Sequence, residues 1–342
     1  SIALINAEPG EHAHIHQAFI EADHFMSQSS VDLYDFARLI KHYVPDPMVG
    51  TAAQNLMDNV SATVISEYHG NDYLNSHGIS IYLPELSIYY LLSYENTRLA
   101  RDSHWDEFLR KHLNITTAFN ESFKGSVLPD KWIVASGSWS VGGNGLYSGD
   151  RFNGWPSVYY DATFTNLTYQ ARIFRGGDAG GSNANDDGNP NAIVIKGNPT
   201  ALSGNPSLSH VNIWDTAYYF QYSRNGKYSI WRSTGSGTWD WVQPWTDSPA
   251  INKGDSWNTL MVVLNMGQMR FFINDNLVFE WNAPLSPGKV GLSYYAGDGG
   301  GFRVDHAMLV TGSPIVGLET GQVEVSDEQM RLNEAAFKPL LF

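Results

Sequence analysis

The chain has no cysteine among its 342 residues, which excludes disulfides, thiolate metal sites and a cysteine nucleophile together. Positive charge is scarce too. Lys and Arg number 21 against 35 Asp and Glu, and the resulting net charge of -14 repels nucleic acid and anionic membrane surfaces. Nowhere do 18 apolar residues run together, so no segment reads as a membrane-spanning helix. The opening Ser1-Ile2-Ala3-Leu4 has neither Met nor the basic start and apolar core of a signal peptide, as expected of a mature product or a piece of a longer chain. What the sequence does contain is apolar and aromatic side chains, 42% and 13%, enough for a substantial core.

Residue usage changes near position 116. Nine of the eleven histidines precede it and ten of the eleven tryptophans follow it, which divides a chain of two-domain length into unlike halves. In the first half Ser30 is placed to cap a helix with Leu33, Phe36, Ala37 and Ile40 on one stripe. A second helix is expected from Val49 to Tyr68, stopped near Gly70, then a strand from Ile79 to Leu83 closed by Pro84, then more helix from Leu86 through Leu113. A single strand leaves its backbone groups unpaired, so this α/β segment reads as the end of a larger sheet-containing domain.

From Phe119 to Val310 the pattern is β throughout. Tyr218–Tyr222 and Lys227–Trp231 flank Arg224-Asn225-Gly226, a strong hairpin signal, and Asn258–Leu264 and Met269–Ile273 flank Met266-Gly267. Further strands are expected at Ser157–Tyr160, Tyr169–Phe174, Ala192–Lys196, Leu277–Trp281, Val290–Tyr295 and Arg303–Val310. Many short strands at even spacing imply a sandwich or jelly roll. Gly176 to Pro190 is too polar for core and reads as a long surface loop. Ser326 and Gln329 form a capping box opening a short helix, Asp327 to Phe337, before an apolar end. The expected organisation is therefore 1–116, 117–313 and a tail at 314–342.

Several constellations carry chemistry. His12, His14 and His16, with Asp23 and His24, have zinc-type donors, but on a helix only His12 and His16 share a face, and a solvated, irregular histidine run is the preferred reading. Asn183, Asn185, Asp187 and Gly188 imitate the start of a calcium loop, yet the position of the bidentate acid is Val194. The β segment has only Glu121 and Glu280 as glutamates, no Gly-x-Ser-x-Gly elbow, and only His210 and His306 for a triad, which disfavours glycoside and ester hydrolysis. Trp155, Trp231, Trp239, Trp241 and Trp245 offer flat faces on which sugar rings stack. Trp239 and Trp241 share a face by strand periodicity, so both are core or both exposed; core is preferred, because tryptophan is highly buried on average. Trp155, between Gly154 and Pro156, is the expected exposed contact.

Three stretches of the first half, DLYDFARLI (Asp32 to Ile40), HGISIYLP (His77 to Pro84) and DSHWDEFLRKHL (Asp102 to Leu113), resemble the C-terminal end of clostripain-family cysteine peptidases, a caspase-like fold. NAIVIKGNP (Asn191 to Pro199), YYFQYSRNGKYSIW (Tyr218 to Trp231), GDSWNTLMVVL (Gly254 to Leu264) and RVDHAMLV (Arg303 to Val310) resemble the concanavalin A-like, laminin-G-like sandwich of secreted proteins. The first resemblance implies a non-catalytic C-terminal chain that completes a peptidase fold. An upstream partner chain would then carry the Cys and His, and would cut peptide bonds through a His-activated thiolate. His69 and His77 each precede Gly as the family's catalytic His does, but neither has a thiol to activate, and His77 is assigned a structural role. The second resemblance implies an extracellular or cell-surface lectin-like domain for glycan or protein substrate, with Asp178, Asp186 and Asp187 as candidate calcium ligands. The competing reading is a stand-alone glycan-binding or adhesion protein, and a third is a glycosidase using Asp residues.

Overall fold

The computed structural model describes residues 1–25, 29–68, 76–85, 87, 90, 92–143, 145–150, 154–176, 190–200, 213–235, 238–296 and 301–312. The chain divides into two compact units, one built on Ser1–Thr116 and the other spanning Thr117–Thr311. The Gly70 stop, His69, most of the Gly176 to Pro190 loop with Asp178, Asp186 and Asp187, His210, and the tail helix from Asp327 to Phe337 lie outside the described residues.

The first unit begins with α1 (Ile2–Glu21). The histidine run expected to be irregular and solvated is thus helical. Pro9-Gly10, breakers by propensity, are carried inside it because Leu4, Ala7, Ile15, Ala18 and Phe19 bury one continuous face. Next come β1 (Ser30–Asp32), α2 (Leu33–Tyr43), α3 (Pro47–Thr63) and β2 (Ser80–Tyr82). The cap of α2 is Asp32, whose Oδ1 accepts from the Asp35 amide at 2.9 Å, while Ser30, the expected cap, sits in β1. Helix α3 opens on Asp46 and Pro47 and ends at Thr63, earlier than Tyr68, which is fully exposed.

Strand β2 is not alone. It pairs antiparallel with β1 in the register Ser30–Tyr82, Val31–Ile81 and Asp32–Ser80, so the backbone groups of one edge are met inside the unit. The strand that, read as single, made this segment look like the end of a larger α/β domain has a partner 50 residues upstream, in a stretch too short to announce itself. The expected long helix after Leu86 is instead a 3-10 turn (Leu92–Asn96), α4 (Arg98–Asp102) and α5 (Trp105–His112). Trp105, Phe108 and Leu109 bury the inner face of α5.

The second unit is all β. Its strands are β3 (Ile115–Glu121), β4 (Trp132–Ser136), β5 (Ser140–Gly142), β6 (Gly145–Ser148), β7 (Ser157–Phe164), β8 (Leu167–Arg175), β9 (Asn191–Pro199), β10 (Trp214–Tyr222), β11 (Lys227–Gly235), β12 (Thr238–Asp247), β13 (Trp257–Asn265), β14 (Gln268–Ile273), β15 (Asn276–Asn282), β16 (Gly288–Tyr294) and β17 (Phe302–Gly312). One sheet has the order β12-β11-β10-β9-β16-β7-β4, the other β15-β14-β13-β8-β17-β6-β5 with β3 also on β17. All of these pairings for which the register is given are antiparallel, and non-consecutive neighbours cross between sheets, as in a jelly-roll sandwich.

Between the sheets lies the main core. Val158, Ile193, Ile195, Phe220, Ile230 and Leu292 of the first sheet meet Tyr169, Ile173, Leu260, Val262, Phe271 and Val304 of the second. Strand alternation then aims the intervening residues of the first sheet outward, and there a second buried cluster forms. A sandwich that covers the outer face of one sheet as well as the inner is using that face for something besides solvent contact.

Candidate functional site

The outer face of the seven-stranded sheet is organised in rungs. Trp241 on β12, Trp231 on β11, Tyr219 on β10, Val194 on β9, Gly291 on β16, Tyr159 on β7 and Ile133 on β4 are successive cross-strand partners. One rung therefore crosses all seven strands, with aromatic side chains on the three strands at the β12 end and Tyr159 on the strand next to the other edge. Tyr219 and Trp231 stack at 4.1 Å with their planes 4° apart, and both are buried, at 0% and 3% exposure. Burial raises the Tyr219 hydroxyl well above its ordinary value, so it stays protonated.

From this anchor the aromatics step outward. Trp239 lies 5.9 Å from Trp231, and Trp241 lies 5.0 Å from Trp239 at 87°, an edge-to-face pair. Trp239 and Trp241 are 44% and 45% exposed. Both belong to an edge strand, which explains why the core reading fails for them. The two tryptophans share a fate, as periodicity requires, but the fate is the surface. Trp245 is half-buried further along β12, beyond a register irregularity between Tyr228 and Ile230.

Trp155 reverses its expectation as well. It is only 9% exposed, packed against Trp231 at 6.0 Å, Tyr219 at 6.3 Å and Tyr295 at 5.6 Å. A loop position between Gly and Pro suggested solvent, but the apolar outer face gives the ring somewhere to bury.

The neighbouring rung is polar. Ser229, Gln221, Ala192, Ser293, Ser157 and Ser136 are cross-strand partners on the same face, all buried. Gln221 Nε2 donates to Ser229 Oγ at 2.7 Å, the hydroxyls of Ser157 and Ser293 pair at 2.7 Å, and Ser136 Oγ donates to the Trp155 carbonyl at 2.6 Å. Gln221 Oε1 has no partner among the described residues. The floor of this face is thus an aromatic row beside a row of small hydrogen-bonding groups.

Glycine makes room for one more ring. A Cβ on Gly197 would come within 2.1 Å of Trp214, and one on Gly291 within 2.8 Å of it and 2.5 Å of the Val158 carbonyl. Trp214 is fully buried over these two positions. Replacing Gly291 by Ala should lower stability by about 1–3 kcal/mol through overpacking, read by thermal melting; an unchanged melt would mean that the indole has slack.

The two glutamates of the sandwich are far apart. Glu121 is on β3 and Glu280 on β15, five strand spacings apart in the other sheet, or on the order of 20 Å. Glycosidases need about 5–9.5 Å between the pair. Burial raises the Glu121 carboxyl above its ordinary value. His306 Nε2 donates to Asn120 Oδ1 at 2.7 Å, a strand-to-strand contact. His77 stacks on Tyr34 at 3.7 Å and its amide donates to Asp32 Oδ2 at 2.7 Å, a structural position.

The sequence matches no known protein-family model and no curated protein. Solved structures similar to this chain include a carbohydrate binding module from Bacillus subtilis (15% identity, 52% of this chain and 94% of that one, TM-score 0.39). The β-glucanase of Bacillus licheniformis is another (11% identity, 56% and 97%, TM-score 0.41). A third is a Bacillus subtilis protein with a galectin-like fold (12% identity, 57% and 96%, TM-score 0.42). The clostripain-like resemblance of the first unit gains no support from these comparisons.

Proposed function

We propose that the sandwich unit is an extracellular glycan-binding module whose contact surface is the Trp239–Trp241 end of the aromatic rung. The observation that carries this reading is the pair of half-exposed, perpendicular indoles held against buried Trp231 and Tyr219. Their position is fixed by packing before any ligand arrives, so a stacked sugar does not have to order them. A flat indole matches the C–H face of a pyranose, and two rings at right angles accommodate two faces of a chain or a branch point. Asp240, which alternates with the two tryptophans and so points to the other face, is held by Arg232 through Nη2 at 3.1 Å and Nε at 3.3 Å, tying the edge strand to β11. The net charge of -14 disfavours sulfated and other polyanionic sugars, leaving neutral or amino-substituted glycans as the class.

This is a binding function, not hydrolysis, and the helical unit contributes no chemistry to it. A glycan array identifies the ligand, and intrinsic tryptophan fluorescence then follows its titration. Trp241→Ala should weaken binding by about 2 kcal/mol, roughly 30-fold, without changing the melting temperature, because the indole is a contact and not an anchor. Silence across a broad array would sink the proposal. Release of reducing sugar would move it to the glycosidase class.

A further inference from the structure

Helix α1 carries Glu8, His12 and His16 at intervals of four, which stacks three donor side chains along one face of the helix. Against that face comes His112, at the last position of α5. Nδ1 of His12 and Nδ1 of His112 both point at Glu8 Oε1, at 2.5 and 2.8 Å, and one donor atom from each of these three residues lies within 4.8 Å of the others. The His12 and His112 rings are 4.6 Å apart, and His16 lies 5.8 Å from His112 and 6.1 Å from His12.

Hydrogen bonding inside the cluster is incomplete. His16 is 5% exposed, and neither of its ring nitrogens has a partner among the described residues. Glu8 Oε2 is equally buried and equally without a partner. Burying such atoms without a hydrogen bond costs roughly 1–3 kcal/mol each. Two imidazoles crowded on one carboxylate oxygen, with the other oxygen and a third, buried imidazole left without partners, make a poor purely structural network. The same four groups make a complete donor set for a tetrahedral ion.

We infer that Glu8, His12, His16 and His112 form a closed site for a divalent transition cation of the zinc class, joining α1 to the end of α5. Imidazole nitrogen and carboxylate oxygen, with no thiolate, are the donors zinc takes, and four protein ligands leave no open position for catalysis. A tetrahedral ion at ~2.0–2.1 Å from each donor needs donors about 3.3 Å apart, so the Glu8, His12 and His112 atoms already in contact would separate slightly, and His16, whose ring nitrogens lie outside the 4.8 Å group those three form, would turn inward to complete the set. His12, about one-third exposed, is the entry side.

The test uses the full chain, stripped with a chelator and refilled with Zn²⁺ alone. Competition with a chromophoric chelator should give one ion per chain, and Co²⁺ in its place should give the intense visible bands of a tetrahedral site. Removing one ligand in His112→Ala or His12→Ala should weaken Zn²⁺ by at least about 100-fold and abolish those bands. His14→Ala should leave both unchanged, because His14 is exposed and paired with Glu11 at 2.7 Å, outside the cluster. His12→Ala carries the test if His112→Ala fails to fold, since His12 is the least buried donor. Zinc that binds equally well to His12→Ala, or that is lost with His14→Ala, overturns the assignment, as does an octahedral cobalt spectrum.

Discussion

A Trp231→Ala chain should lose about 3–5 kcal/mol of stability and melt roughly 8–16 °C lower, although it stands one strand away from the proposed contact. The indole is 3% exposed, stacked face to face on Tyr219, and touched edge-on by both Trp155 and Trp239. Truncation removes one of the largest buried side chains of the outer face and leaves a void lined by three aromatic rings. Those rings cannot collapse into it freely, because Tyr219 is held in register between Trp231 and Val194 on neighbouring strands. Trp231→Phe restores part of the stack and should recover at least half of the loss. Differential scanning calorimetry of the three proteins measures this. Comparison with Trp241→Ala separates anchor from contact: the first variant loses stability, the second only affinity. If Trp231→Ala melts like the parent and loses glycan binding, then Trp231 is itself the platform and the outer face is open.

That separation of roles could not be read from the sequence, and the reason is physical. Strand alternation tells which residues share a face, and it places Tyr219 and Gln221 opposite Tyr218, Phe220 and Tyr222. It distinguishes inside from outside only when one face is polar. In β10 both faces are buried, so Tyr219 outside and Phe220 inside look alike. The hairpin joining β10 to β11 was legible because Asn225-Gly226 demands a turn, and Gly226 indeed has φ of +98°. Edge strand β12 gave no such signal: its residues are exposed or half-buried throughout, and Pro244 within it argues against a strand. Trp239 and Trp241, the two most exposed of the described tryptophans, lie on that strand. Its edge position, invisible in the sequence, decides their exposure.

The histidine cluster shows a second kind of limit. The shared face of His12 and His16 follows from helical spacing alone, but their convergence with His112 is a contact between residues about 100 positions apart. No local pattern encodes it. The same applies to β1, three residues long, whose pairing with β2 turned an apparently orphaned strand into a two-stranded ribbon. Local chemistry announced the hairpin turn and the apolar stripe of α2 but misplaced its cap by two residues; long-range partners emerged only with the fold.

One short stretch where local and long-range contacts meet is Asp32, and Asp32→Ala should destabilise the helical unit by about 4 kcal/mol. Its side chain is fully buried, with Oδ1 accepting from the Asp35 amide at 2.9 Å and Oδ2 from the His77 amide at 2.7 Å. One carboxylate thus caps α2 and ties down the segment leading into β2. Alanine removes the cap and strands two amide donors in a site without room for compensating water. Asn is the informative companion, because its amide can accept through one oxygen only and presents an N–H₂ group to the second donor, so it should recover about half. The next carboxylate, Asp35, accepts from the Asp23 amide at 2.9 Å and from Arg38 Nε at 2.8 Å. Loss of Asp32 should therefore propagate along the connection from α1 to α2. Hydrogen exchange of the α2 and β2 amides reads this directly, free of the ten tryptophans that lie after residue 116. A loss of about 1 kcal/mol, confined to the first turn of α2, would mean that Asp32 is an ordinary surface-type cap and that the two strands hold together without it.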